Sequence, residues 1–575
     1  MRIKKTISKN FEFYYIIKDI NRNGKRTTKI VEKLGKIDDI KKRANNQDPM
    51  IWLTNYVNVL TIKEKEGTRE IIKSYSPTKI INKDVQTSFN GGYLFLQKIY
   101  YDLKINNICK DITDRYQFKY DLNSILSNLL YSRIIYPSSK LKTLESSKKY
   151  LEQPNFQYND ILRALEVIAA EFDFIQSELY KNSSKYLERN NKVLYYDCTN
   201  FFFEIEEDDE FRKYGKSKEN RPNPIVQMGL FMDGDGIPIA LDITPGNTNE
   251  QTTLKPLEEK IINDFNTSKF IVCTDAGLAS ATNRKFNNTN DRRFITTQSI
   301  KQLKGFLKEW ALDLTSGWKL YGSDKTYNIS KLREDDELIK KYYGKTFYKE
   351  RWIKENDLEQ RLIITYSPKY QEYQKKIRSN QINRALKLIE SNPAKLSKAK
   401  QNDPKRFITT ISTTSNGEVA EENHYKLNQE IIMNEAQYDG LYAVCTNLED
   451  NVEDIIKINH NRWEIEESFR IMKSEFKSRP VFLSREDRIK AHFITCFLAL
   501  VIFRYLEKKL NNKYTVEDII QTLKEMNFHK EDNDYIPTYN RTDLTDLLHE
   551  KFNFRTDYEI LSDKYIKKIF TLTKK

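Results

Sequence analysis

At Lys192 the apolar residues change from a helical repeat to period two, and nothing else in the 575-residue chain constrains its fold as strongly. KVLYYDCTNFFFEIEE and PIVQMGLFMDGDGIPIALDITPGN read as three consecutive strands, with tight turns at Asp233-Gly234 and Asp235-Gly236. A helix over residues 250–263 follows, then a short buried strand in KFIVCTDAG, which ends at Asp275 and Gly277. A β meander, a helix and a further strand begin an α/β core.

The flanking segments differ in pattern. FEFYYIIKDI and KRTTKIVEKLG surround Asn23-Gly24, a turn signal that predicts a β-hairpin module over residues 1–62. Leu122, Ile125, Leu126, Leu129 and Leu130 share one helical face, as do Ile161, Leu165, Ile168 and Phe172, which predicts a helical domain over 85–187. The core then occupies 190–296. Residues 297–438, with WKLYGSDKTYNIS, KTFYKERWI, EQRLIITYS and FITTIST, read as a mostly β insertion carrying one lysine-rich helical piece. GLYAVCTNL resumes the core over 439–480, where Asp454 to Ser478 reads as one helix, and 481–575 reads as a helical C-terminal region.

Composition narrows the function classes. With 96 Lys+Arg against 82 Asp+Glu the net charge is +14, which favours a polyanionic partner, although a Lys-, Asn- and Ile-rich chain also arises from AT-rich coding. The five cysteines form no C-x-x-C pair and the five histidines show no metal spacing, which argues against a zinc ribbon or disulfide framework and fits a reducing cytoplasm. The longest apolar run, FITCFLALVIF, is shorter than the roughly 20 residues of a bilayer span, so no membrane partner is expected.

Three acidic residues stand where strand ends and a helix can gather them: Asp197 in the first strand, Asp275 at the end of the fourth, and Glu466 on the last core helix. Three such carboxylates can hold two hard cations for an in-line displacement at phosphorus. On a helix turning about 100° per residue, Arg462, Glu466 and Lys473 share a narrow arc beside a buried stripe of Ile465, Phe469, Met472 and Phe476. Both cations are then placed to meet phosphates.

The run NHNRWEIEESFRIMK resembles the Y-x2-R-x3-E-x6-K signature of DDE transposases of bacterial insertion sequences, the insertion-sequence-four (YREK) group, in Arg462, Glu466 and Lys473; Asn459 stands where the signature has tyrosine. YYDCTNFFFE, the block from YGKSKENRP to GN-x2-E, and IVCTDAG resemble the rest of that family's core, and the 190 residues between Asp275 and Glu466 match its habit of inserting a β segment there. The resemblance implies an RNase-H-like fold with Asp197, Asp275 and Glu466 binding two Mg²⁺ (Mn²⁺ as an alternative). It further implies DNA-binding N-terminal modules, and cleavage at transposon terminal inverted repeats through a hairpin intermediate, with strand transfer into target DNA. A homodimer would pair the two ends in the bacterial cytoplasm. Trp463 would help hold a flipped base, although an aromatic beside a buried stripe packs in a core as readily. An inactive transposase-derived DNA binder and a nuclease of the same fold stay open as alternatives.

Arg212, Lys213, Lys216, Lys218 and Arg221 lie on the loop after the first strand; charge runs are usually solvated, but Gly215, Ser217, Lys218 and Arg221 match family positions and imply DNA contact. Asp233 and Asp235 are explained by the turns they make.

Overall fold

The computed structural model describes residues 1–8, 11–22, 25–44, 48–67, 76–78, 80–391, 403–412 and 423–575. Two compact units divide at Val85 and Gln86. In the first, strands β1 (Arg2–Ser8), β2 (Phe11–Arg22) and β3 (Lys25–Gly35) form an antiparallel sheet followed by helices α1 (Ile37–Ala44) and α2 (Pro49–Gly67). The sheet thus has one strand more than the expected hairpin, and the Asn23-Gly24 turn lies outside the described residues. Tyr14, Ile16 and Leu34 pack with Ile40, Leu53 and Val57 in a small core of its own. Gly35 is required at the exit of β3: its φ is +90°, and a Cβ there would meet the Asp39 carboxylate that caps Lys36 N–H.

The second unit opens with β4 (Ser88–Asn90) and six helices: α3 (Tyr93–Asp102), α4 (Ile105–Tyr116), α5 (Leu122–Ile135), α6 (Lys140–Ser147), α7 (Tyr158–Ala170) and α8 (Phe172–Tyr186). They pack with α18 (Glu486–Lys509), which is apolar all round because it runs through the core. By length and composition α18 could cross a membrane, but 94% of its apolar window is buried inside the protein.

The meander is β5 (Val193–Phe202), β6 (Ile225–Asp233) and β7 (Pro238–Pro245); α9 (Glu250–Asp264) then leads to β8 (Phe270–Thr274), which pairs parallel to β5. After α10 (Ala281–Phe286) come β9 (Arg292–Thr297), α11 (Gly305–Leu312), β10 (Trp318–Leu320), β11 (Ser323–Tyr327), α12 (Ile329–Glu334), α13 (Asp336–Lys341), β12 (Phe347–Glu355), β13 (Leu358–Tyr366), α14 (Pro368–Ser391), β14 (Ile408–Ser412), β15 (Asn423–Leu427), α15 (Gln429–Ala436) and β16 (Leu441–Thr446). Ten strands make one sheet in the order β11-β10-β12-β13-β16-β9-β8-β5-β6-β7.

This corrects the expected mostly β insertion in two respects. Among its described residues the segment carries five helices, four of them only six or eight residues long and too short for a helical period to be counted in sequence. Strands β10 to β13 also continue the main sheet, because β13 pairs with β16 from Arg361↔Thr446 to Tyr366↔Leu441, while β14 and β15 pair only with each other.

Beyond β16 the chain forms α16 (Val452–His460), α17 (Trp463–Arg470), α18, α19 (Val516–Glu525), β17 (Asn527–Glu531), β18 (Asp534–Pro537), α20 (Asp543–Phe552), β19 (Leu561–Ser562) and α21 (Asp563–Thr573). The C-terminal region is helical with an added hairpin, and β17 pairs with β4, so the two ends of the unit share a four-stranded sheet.

Candidate active site

The parallel register of β5 and β8 pairs Val193 with Ile271, Leu194 with Val272 and Tyr195 with Cys273. Two residues further along stand Asp197, still within β5, and Asp275, just past the end of β8. Alternation puts Tyr195 and Asp197 on one face of β5, while Tyr196 and Cys198 face the core under α9. The first face is covered by α16: the Tyr195 hydroxyl donates to the Ile458 carbonyl at 3.1 Å, and the Cys273 thiol lies 3.8 Å from Asn459 Oδ1.

Asp197 is part-buried, and desolvation pushes its carboxyl up to about 6; Asp275 adds to the rise, against Lys218, Arg462 and the Cys198 N–H that Asp197 Oδ1 accepts at 2.7 Å. Asp275 caps the short turn after β8, accepting from Leu278 N–H at 3.1 Å.

The expected single helix from Asp454 to Ser478 is broken, and the break matters. Between α16 and α17 the chain tightens, with Arg462 N–H on the Asn459 carbonyl and Ile465 N–H on that of Arg462. Past Arg470 it widens into a π turn, Ile471–Glu475, closed by Phe476 N–H on the Ile471 carbonyl at 2.9 Å. The buried stripe of Ile465, Phe469, Met472 and Phe476 is as expected.

Arg462 stands between the acids. It pairs with Glu466 at 3.5 Å, and although burial works against its charge, Tyr442, Asp197 and Glu466 together hold it above its ordinary range. Glu466 is 62% exposed and faces a cavity of about 420 Å³ shared with Tyr370, Tyr442 and Trp463, which neither aspartate lines. Trp463 is half exposed, so it is no core residue. The three carboxylates do not lie within 4.8 Å of one another among the described residues; Asp546, His549 and Asp557 do, but Arg541 and Arg555 neutralise both aspartates there.

Lys473, carried by the π turn, reaches Glu219 at 3.2 Å rather than Glu466, and burial followed by Lys218 brings its amine down to about 8, against Asp197. Lys218 donates to the Cys198 carbonyl and pairs with Glu250 at 3.3 Å, beside Asp197. Arg221 stacks on Phe202 with its guanidinium 4.1 Å from the ring centre. The loop carrying them is pinned where Gly215 and Gly246 meet: a Cβ on Gly215 would lie 2.0 Å from the Gly246 carbonyl oxygen. Asn459 turns inward, its amide donating to the Tyr442 hydroxyl at 3.0 Å.

A family model described as "Transposase DDE domain" matches residues 200–502, more than half of the chain. The chain belongs to this family of DDE transposases. Asp275 and Glu466 fall within the match and Asp197 just before it. No curated protein matches the chain in sequence. The cryo-EM structure of a piggyBac transposase synaptic complex with hairpin DNA superposes with a TM-score of 0.35 at 9% identity, over 84% of this chain and 85% of that one, too loosely to carry an argument.

Around the acids of this transposase, sequence reasoning missed Glu219, Arg479 and Tyr442. Glu219 is hidden in a run read for its cations, yet it pairs with both Lys473 and Arg479. Tyr442 sits in an apolar strand whose alternation gives no hint that its hydroxyl meets Thr297 and Asn459.

Proposed function

We propose that this chain is a cut-and-paste DNA transposase of the insertion-sequence-four group, built on an RNase-H-like core, that cleaves transposon ends and joins them to target DNA. The observation that supports it most is that Asp197 on β5 and Asp275, just past the end of its parallel neighbour β8, come close enough to act on each other's charge, while Arg462 acts on Asp197 and pairs with Glu466. The donor set fits a hard divalent cation: all three candidates are carboxylates, and the part-buried Asp197 carboxyl is raised by desolvation and by the neighbouring Asp275. Asp197, Asp275 and Glu466 would hold two Mg²⁺, which would supply an activated water or 3′-hydroxyl and stabilise the leaving oxygen.

The remaining work falls to the protein's own side chains. Arg462 offers its guanidinium to a phosphate beside the scissile one and in doing so releases Glu466. Lys218, Lys473 and Arg221 fix the DNA backbone over the acids, with Glu219 holding Lys473 in place until DNA arrives. Trp463 and Tyr442 give the adjoining cavity aromatic walls suited to an unstacked base, and Asn459 serves by orienting Tyr442. The N-terminal unit and the helices of 85–187 bind the terminal repeats, two copies pair the ends, and the reaction takes place on DNA in the bacterial cytoplasm.

The test is Asp197→Asn in the full chain. It is expected to bind an end duplex as the native protein does, yet neither nick it with Mg²⁺ nor join it to a plasmid; a variant that still nicks overturns the assignment. Nicking without joining by the native protein identifies a nuclease instead.

A further inference from the structure

Beside the turn that ends the catalytic helix lies a second cavity, of about 350 Å³, that none of the roles above uses. Its walls hold Arg133 from α5, Lys140 from the start of α6 and His492 from α18, each at least nine-tenths buried, and no carboxylate lines it. The His492 Nε2–H donates to the Ser478 carbonyl at 3.1 Å, which leaves Nδ1 as the acceptor facing Lys140 Nζ at 3.5 Å. Arg133 donates to the carbonyls of Phe476 and Ser138 at 3.1 and 3.3 Å, while its Nε is buried without a partner.

Two buried cations without a counter-charge are costly, and native proteins keep such groups when something else neutralises them. The groups acting on Lys140 are burial and Arg133, which bring its amine down to about 7, with Cys496 opposing; on His492 they are burial, Lys140 and Arg133. Among the described residues no carboxylate lines the cavity to answer them. The cavity adjoins the acidic site through Arg479, which lines it and pairs with Glu219, the partner of Lys473.

We propose that this cavity is a phosphate subsite, in which Lys140 and Arg133 take a backbone phosphate of the DNA a short way along from the phosphate at Asp197 and Asp275. The identity of the occupant as DNA rests on the function proposed above; the anion preference of the pocket does not.

The variant of choice is Lys140→Met, because it keeps the length of the side chain, whereas Arg133 also ties down backbone carbonyls. In thermal melts of the full chain at matched ionic strength, inorganic phosphate is expected to raise the native midpoint above that in chloride and to leave Lys140→Met unmoved. In chloride the variant is expected to melt no lower than the native protein, since it no longer buries an unanswered charge. In titrations with a short duplex, the slope of log affinity against log salt is expected to fall by about one, an affinity loss of about eightfold at 0.1 M salt. A native midpoint indifferent to phosphate, or a variant that melts far lower, overturns the subsite. A phosphate effect with an unchanged duplex slope overturns DNA as the occupant and leaves a free anion. A native protein that responds to phosphate but binds no duplex refutes the proposed function and not the pocket.

Discussion

Glu466→Gln separates catalysis from stability by a margin that can be worked out in advance. Glu466 is 62% exposed and its ion pair to Arg462 spans 3.5 Å. At that distance two unit charges in water attract by about 1 kcal/mol, and exposed pairs measured in proteins return about 0–1 kcal/mol. The glutamine keeps the shape and an acceptor oxygen, so the folded state should lose less than about 1 kcal/mol, a shift of under about 2 °C in a chain this large. As a metal donor the same carboxylate contributes several kcal/mol to the transition state, so nicking should fall on the order of a thousandfold. The assay is Mg²⁺-dependent nicking of a duplex carrying the terminal repeat, run beside thermal melts. Nicking within tenfold of the native rate removes Glu466 from the chemistry, and a large fall in the midpoint shows a structural role instead.

Glu258 predicts a pH dependence of stability: burial pushes its carboxyl up to about 7, against the hydrogen bond from Asn287 and the charge of Arg292. Because the folded state holds this proton more tightly than the unfolded chain, its contribution is present below the ordinary glutamate range and is lost as pH rises toward about 7, on the order of 3 kcal/mol in all. Glu258→Gln should therefore gain on the native protein between pH 5 and 8 in urea unfolding, and a difference that does not change with pH contradicts this. Arg189 and Asp233 form an ion pair with side chains 1% and 0% exposed, which holds the β6–β7 turn. Arg189→Met should cost about 3–5 kcal/mol by stranding the aspartate, and adding Asp233→Asn should recover part of it; a double variant no more stable than the single one counts against stranded charge as the cause.

What could be read from the sequence was whatever depends on neighbours along the chain. Period two around Asp197 fixed the faces of β5, the Asp-Gly pairs fixed the tight turn between β6 and β7, and the apolar stripe fixed which side of α17 is buried, because each follows from local geometry. Asp275 at a strand end and Glu466 on a helix were legible for the same reason. The break at Asn461 and Arg462 and the π turn under Lys473 were not; beside them Tyr195 bonds the Ile458 carbonyl and Arg133 that of Phe476, both from distant elements. Nor could spacing show that Lys473 meets Glu219, that Asn459 turns toward Tyr442, or that β10 to β13 extend the main sheet. Those choices turn on which buried polar group finds a partner, and a partner hundreds of residues away is supplied only when the chain has packed.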